Sequence, residues 1–238
     1  MSLLTIVQNA AAMIGIPQPN IVINNSDGNV VQLLALSNME GIELARKRPW
    51  QELAKIVTTT TINAQDQGLV TDVLGADYDR MVSGTPWDLS LIRELIGPMS
   101  PTEWAAAQAW SAAGPYFGFR IIESHLNIFP IPPAGENIYW EYTSKNWCSN
   151  ADGSVWQYQW SADTDVGLLD ETMMTYGLVV RFKAAKGIDY TEDLIRYQDC
   201  LGERESSDGG NPKIISMGRR SRYWNQRYPN LPDGNWPT

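Results

Sequence analysis

Asp163, Asp165, Asp170 and Glu171 form the densest run of carboxylates in the chain. A hard cation such as calcium takes roughly six to eight oxygen ligands, and carboxylates this close could supply several. The spacing does not match the helix–loop–helix calcium loop, and no glycine stands at its turn. The same residues suit a helix start, where carboxylates accept orphan backbone N–H groups and offset the dipole. Capping accounts for all four, so no metal site is expected. Glu103, Glu123 and Glu141 raise a second chemistry, since two carboxyl groups about 5–9.5 Å apart can hydrolyse a glycoside. Glu103, however, also completes Ser100-Pro-Thr-Glu103, a helix-capping box. His125 is the single histidine, and no G-x-S-x-G elbow supplies a nucleophile for a triad. Phosphate-cradling patterns, G-x-x-x-x-G-K or G-x-G-x-x-G, are missing from the sequence, so no nucleotide cofactor and no enzymatic role are expected.

Aromatic side chains offer binding rather than catalysis. The chain holds ten tryptophans and ten tyrosines, with Trp140, Trp147, Trp156 and Trp160 crowded among Tyr139, Tyr142 and Tyr158. Such residues fill cores, anchor protein interfaces or stack on sugars, and all three uses stay open from sequence. The C-terminal stretch is more specific. Arg219, Arg220, Arg222, Tyr223, Trp224, Arg227 and Tyr228 interleave the residue types most enriched at binding hot spots, followed by a proline-spaced run to Pro237. With little aliphatic content the segment orders only on a partner.

Charge separates this tail from the body. The chain carries a net −9, yet residues 211–238 hold Lys213 and four arginines against Asp233 alone, so the acidic excess lies wholly in the body. An acidic body repels nucleic acid, whereas a basic tail docks on an acidic protein surface. At 43% hydrophobic the chain can build a real core. No apolar run approaches the roughly 20 residues that span a bilayer, so no membrane partner is expected. The first residues show no basic region or cleavage site of an export signal. Cys148 and Cys200 are too few for a disulfide framework or a thiolate zinc site.

The elements that must position these residues follow from periodicity. Ser2 caps a first helix with Leu3, Val7, Ala10 and Ile14 on one face, ended by Gly15 and Pro17. A second helix runs from Ser26 or Asp27 to Arg48. Its first half is apolar nearly all round, as in the centre of a bundle, and Gly41 inside it weakens the rod. Residues 56–62 are β-branched and read as a strand. After a weakly patterned stretch to Gly97, the capping box starts a short helix with Trp104 and Trp110. Phe117, Phe119 and Ile121 alternate on one strand of a hairpin tipped by Glu123-Ser124, and Leu126 and Ile128 on its return. Ile138, Trp140 and Tyr142 alternate on a further strand. Leu169, Met173, Tyr176 and Val180 mark a third long helix, and Tyr190, Leu194, Tyr197 and Leu201 a fourth. The expected fold is α+β: a four-helix bundle with a β-rich insertion between helices 2 and 3 and an extended C-terminal arm. Its parts are 1–54, first half of the bundle; 55–162, β-rich insertion with one short helix; 163–210, second half; and 211–238, the arm.

Several phrases, read in order, carry a resemblance. They begin with Leu4-Thr-Ile-Val-Gln-Asn-Ala-Ala-Ala-Met-Ile-Gly15, Glu43-Leu-Ala-Arg-Lys-Arg-Pro-Trp50, Ala76-Asp-Tyr-Asp-Arg80 and Trp87-Asp88. Gly97-Pro-Met-Ser-Pro-Thr-Glu-Trp104, Phe119-Arg-Ile121 and Phe129-Pro-Ile-Pro-Pro-Ala-Gly135 follow. The last are Tyr142-x-Ser-Lys-Asn-Trp-Cys148, Ala162-Asp-Thr-Asp165 and Lys183-Ala-Ala-Lys-Gly-x-Asp-Tyr190. Over residues 1 to about 210 the chain resembles the head-to-tail adaptor proteins of short-tailed bacteriophages. The resemblance implies a virion structural protein, a ring of usually twelve copies joining the portal protein to the tail tube or nozzle. It implies a channel that passes double-stranded DNA without specific binding, at the head–tail junction of a virion assembled in the bacterial cytoplasm. There both cysteines stay reduced. By position, Arg219, Arg220, Arg222, Tyr223, Trp224, Arg227 and Tyr228 then become portal contacts. The alternative from the carboxylates and aromatics is a phage-associated cell-wall glycoside hydrolase or a glycan-binding module.

Overall fold

The computed structural model describes residues 2–82, 84–109 and 117–209. Helix α1 (Leu3–Ile14) starts where the Ser2 hydroxyl accepts from the Thr5 amide and stops where Gly15 turns left-handed at φ 85°. Helix α2 (Gly28–Lys47) is capped by Asp27, which accepts from the Asn29 amide, and ends before Pro49. A 3₁₀ turn (Gln51–Leu53) leads into β1 (Ala54–Thr60). The stretch to Gly97 that lacks a clear pattern holds β2 (Asp66–Leu69), the single-turn α3 (Val70–Val73), β3 (Tyr78–Met81), β4 (Trp87–Asp88) and β5 (Arg93–Glu94). Helix α4 (Pro101–Ala109) is followed by β6 (Gly118–Ile122) and β7 (His125–Phe129). Their two-residue tip is Glu123-Ser124, both at positive φ (52° and 65°), the geometry that matches the twist of a tight hairpin. Next come β8 (Asn137–Ser144), β9 (Cys148–Ser149), β10 (Trp156–Gln157) and β11 (Val166–Gly167), then α5 (Glu171–Lys186) and α6 (Thr191–Gly209).

Strand β8 organises the β lobe. It pairs with β1 along one edge, and with β3 and β4 on the other. A second sheet, in the order β2-β7-β6, packs across it. The alternation expected for β8 is real: Ile138, Trp140 and Tyr142 are buried against Phe119, Leu126 and Ile128. At the centre, Phe119 and Trp140 meet edge-to-face, centroids 5.2 Å apart.

The expected four-helix bundle is overturned. Among the described residues the protein is α+β with six helices and three antiparallel sheets, and its β structure is extensive rather than an insertion. The physical reason lies in what fills the space between helices. Helices α1, α2 and α6 each pack on α5, so α5 is a hub buried on most sides through Met173, Met174, Leu178, Val179 and Phe182. Tyr176 and Val180, expected on its buried stripe, are only half-buried. The helical core is completed by Trp147, Cys148 and Trp160, which sit on or beside the third sheet, β10-β9-β11. Trp147 lies against Gly41, where any Cβ would be driven into the indole ring. Gly41 therefore leaves α2 unbroken and makes room for a residue 106 positions later in a sequence whose numbering runs to 238.

Candidate functional site

All seven residues expected to contact a portal (Arg219, Arg220, Arg222, Tyr223, Trp224, Arg227 and Tyr228), and Trp110, lie outside the described residues. What the structure places is the root of the arm. Three bonds fix the end of α2. Trp50 Nε1 donates to the Leu44 carbonyl (2.7 Å), and Arg80 reaches across from β3 to the carbonyls of Ala45 (2.8 Å) and Arg48 (3.2 Å). These satisfy carbonyls that the last turn of a helix leaves without partners. The segment so held then clamps the end of α6. The Gln51 amide donates to Asp208 Oδ1 at 3.1 Å, Arg48 Nε lies 3.6 Å from Asp208 Oδ2, and Arg48 also donates to the Glu205 carbonyl. Chain exit at Gly209 is thereby pinned three residues before β1 begins.

Beside this clamp is a cleft of about 510 Å³ with Trp50, Leu169 and Met173 on its floor and Arg204, Asp170 and Asp208 on its rim. Asp170 has two duties there: one oxygen caps α5 through the Met173 amide at 2.9 Å, and the other pairs with Arg204. The rest of the acidic run is equally occupied. Asp163 accepts the amides of Val22 and Ile23 (2.7–3.1 Å), tying the loop after α1 to residues 141 positions away. Asp165, 2% exposed, accepts both the amide and hydroxyl of Ser161 and the amide of Ala162. The capping reading of this run thus holds for Asp170, and loop tethers explain Asp163 and Asp165. Among the described residues no cluster of three or more His, Cys, Asp or Glu could hold a metal.

The three glutamates weighed as a hydrolytic pair stand on separate elements. Glu103 closes the capping box with the Ser100 amide (3.0 Å) and hydroxyl (2.9 Å). Glu123 is at the hairpin tip, and Glu141 is half-buried on the β8 face opposite Trp140. His125 is a half-buried strand residue whose Nδ1 lies 2.9 Å from Asp66. The Gly68 amide and then His125 hold the Asp66 carboxyl below its ordinary range. Trp140, Trp147 and Trp160 are core residues at 0–4% exposure, so their faces meet protein rather than solvent. Burial, and next Asp165, push the Cys148 thiol up to about 12.

Sequence reasoning missed three charged constellations. Glu40, 1% exposed, sits between α2 and α5, where Tyr197 Oη donates to it at 2.7 Å and Arg181 Nε pairs with it. Arg181 also reaches Glu43 at 2.6 Å. Burial opposes the guanidinium charge, but Glu43 and Glu40 outweigh it and raise the Arg181 pKa, while Arg181 holds Glu43 low. Gly177 leaves room for the Glu40 carboxylate, which a Cβ would strike. In the β lobe, Asp77 accepts from Lys55 (2.6 Å), Ser144 (2.7 Å) and Tyr142 (2.9 Å). Burial works against its charge, yet these donors bring it below the ordinary value. Asp88 and Glu136 are both buried. Burial first, then the Asp88 carboxylate, raise Glu136 above its ordinary range, with Arg93 pulling the other way. The one sequence signal was a glutamate, Glu40, within the buried register of α2. The others depend on strand pairing.

Among the described residues no helix is long and apolar enough to cross a membrane. No protein-family model matches the chain, and no curated protein matches it either.

Proposed function

We propose that the chain is a structural virion protein, a head-to-tail adaptor whose copies form a ring between a phage portal and the tail tube or nozzle. The observation that supports this reading most is where the adaptor-like phrases fall. Glu43 to Trp50 and Arg80 build the clamp at the end of α2. Trp147 and Cys148 complete the helical core, and Asp163 and Asp165 tether its loops. A resemblance concentrated at residues that hold a fold together argues for a shared architecture. The clamp then gives a fixed launch point for a basic, aromatic arm from an acidic body, and arms repeated around a ring add avidity to a modest single contact. The acidic body lets DNA slide without phosphate-binding cations.

Light scattering on a sizing column tests this reading. The chain alone should run as a 26.6 kDa monomer and join the purified portal ring as a stoichiometric ring. The full chain carrying Arg219→Glu, Arg220→Glu and Arg222→Glu should stay folded by circular dichroism and lose the portal by at least about tenfold, given hot-spot costs of 2 kcal/mol or more. A wild-type chain that ignores the portal overturns the proposal.

A further inference from the structure

The most exposed large hydrophobic side chain among the described residues is Ile92, at 80%. It closes the turn Leu89-Ser-Leu-Ile92 that joins β4 to β5, in which Leu89 and Leu91 are also exposed. Its φ of 54° is one that a β-branched residue avoids. Four hydrogen bonds hold the turn in place. Asp88 Oδ1 accepts the amides of Ser90 (2.8 Å) and Leu91 (3.0 Å). The Leu89 amide donates to the Asn137 carbonyl at 2.8 Å, and the Asn137 amide to Ser90 Oγ at 2.9 Å. Two further segments reach this end of the sheet. Thr60 ends β1 opposite Asn137, and Thr61 holds the 130–136 loop through the carbonyls of Pro133 (2.6 Å) and Glu136 (2.9 Å). Ile62 and Ile131, carried by these segments, are both exposed. Residues 61–64, 89–92 and 130–135 contain no charge, and the carboxylates next to them, Asp88 and Glu136, are buried. The five aliphatic residues present on the order of 500 Å² of surface, the size at which an exposed patch marks an interaction site.

We propose that this apolar end of the β lobe docks on the tail tube or nozzle protein, against an uncharged aliphatic surface; the assignment rests on the adaptor reading. Position argues for this partner. Gln51, three residues before β1, holds Asp208 at the end of α6, whereas the apolar turn lies where β1 finishes. The seven residues of β1 set the root of the arm and the apolar end about 20 Å apart. With the arm side taken by the portal, the apolar end is left for the other neighbour along the channel. Area argues against a second copy of this chain. A stable pair of proteins buries about 800 Å² on each partner, more than this end offers. Repeated on every copy of a ring, the same patch gains avidity and suffices. Composition argues against lipid, since residues 61–64, 89–92 and 130–135 hold no tryptophan, tyrosine or lysine to anchor at a membrane interface. A turn fixed before contact loses little freedom on docking, and backbone strain of the kind at Ile92 collects at binding sites.

The full chain carrying Leu91→Ser and Ile92→Asn tests it. Asparagine tolerates the left-handed region that isoleucine avoids, so the double variant should keep its circular dichroism spectrum and its urea midpoint. By light scattering it should join the purified portal ring as the wild type does. The portal-loaded variant ring should then capture the purified tail tube or nozzle protein of the same virus at least about tenfold more weakly than the wild-type ring. Equal capture by the two rings, or none by either, overturns the proposal and leaves portal binding intact. A wild-type chain that ignores the portal overturns the adaptor reading and this proposal with it. Wild-type binding to phosphatidylcholine vesicles that the double variant loses overturns the proposal in favour of a lipid surface.

Discussion

The helical core and the β-lobe core are each centred on an edge-to-face aromatic pair at 88°, Trp147 with Trp160 and Phe119 with Trp140. They part in how they treat polar groups. In the β lobe, Trp140 Nε1 donates to Thr59 at 2.8 Å, while the indole N–H groups of Trp147 and Trp160 are buried with no partner among the described residues. The contrast reverses for charge. The helical core pairs Glu40 with Arg181 and Tyr197, whereas the β lobe places Glu136 beside Asp88. A helix surface is free to bring any side chain to its neighbour, so opposite charges can be matched across it. Register in a sheet fixes who stands beside whom, so the lobe that matches Asp77 with Lys55 also sets Glu136 beside Asp88, where burial and the second carboxylate raise the Glu136 pKa.

The largest effect expected from this contrast is at Trp147. Trp147→Ala should cost about 4 kcal/mol, the usual range for emptying a buried aromatic site, read by urea unfolding. Its helical neighbours cannot close the space because Gly41 already lies flat against the ring. A loss below about 1 kcal/mol would mean that the third sheet does not support the helical core.

Next is Arg181→Met, which leaves Glu40 buried with Tyr197 alone and should cost about 3 kcal/mol. Replacing the pair together, Glu40→Leu with Arg181→Met, should recover most of that loss, since the desolvation of both charges goes with them. If the double variant is no better than the single one, the pair is worth more than apolar packing.

The smallest effects are pH slopes of opposite sign. Asp77 has a lowered pKa from an ordinary 3.8, so the folded state binds fewer protons than the unfolded one near that value. Its contribution is complete above about pH 4 and is lost as pH falls through the folded value. Glu136 has a raised pKa from an ordinary 4.5, so its folded state binds more protons, and stability is lost as pH rises from there through the raised value. Unfolding free energies measured across pH 2–8 should show Asp77→Asn flattening the acid limb at a cost of about 1 kcal/mol at neutral pH. Glu136→Gln should be neutral or stabilising at pH 7 and lose the second slope. A Glu136→Gln chain that is weaker at neutral pH would show that the carboxylate, not its proton, is wanted there.

Local features were legible because each is decided within about four residues. The Ser2 and Asp27 caps, the Ser100–Glu103 box and the left-handed Gly15 appear where the residue types ask for them, and the alternation on either side places the Glu123-Ser124 tip. The alternation of β8 was equally plain, since one strand buries one face. Strands β2 to β5 were not legible: they are two to four residues long, too short for a period, and exist because β7 offers an edge to β2, β8 to β3 and β4, and β4 in turn to β5. The arm's composition singled it out, but the clamp at its root joins Arg48 and Gln51 to Asp208, 157 positions beyond Gln51, with no local mark.

From its own residues, then, the chain determines where helices start and stop, which strand faces are apolar, and that a basic aromatic arm follows an acidic body. Only the tertiary structure decided that α5, not α2, is the helical hub and that Trp147 and Trp160 belong with the helices. It also decided that Gly41 and Gly177 are sites of close approach. Those outcomes depend on the volume left between elements after they pack, and a side chain from a distant strand fills that volume as readily as a neighbouring helix does.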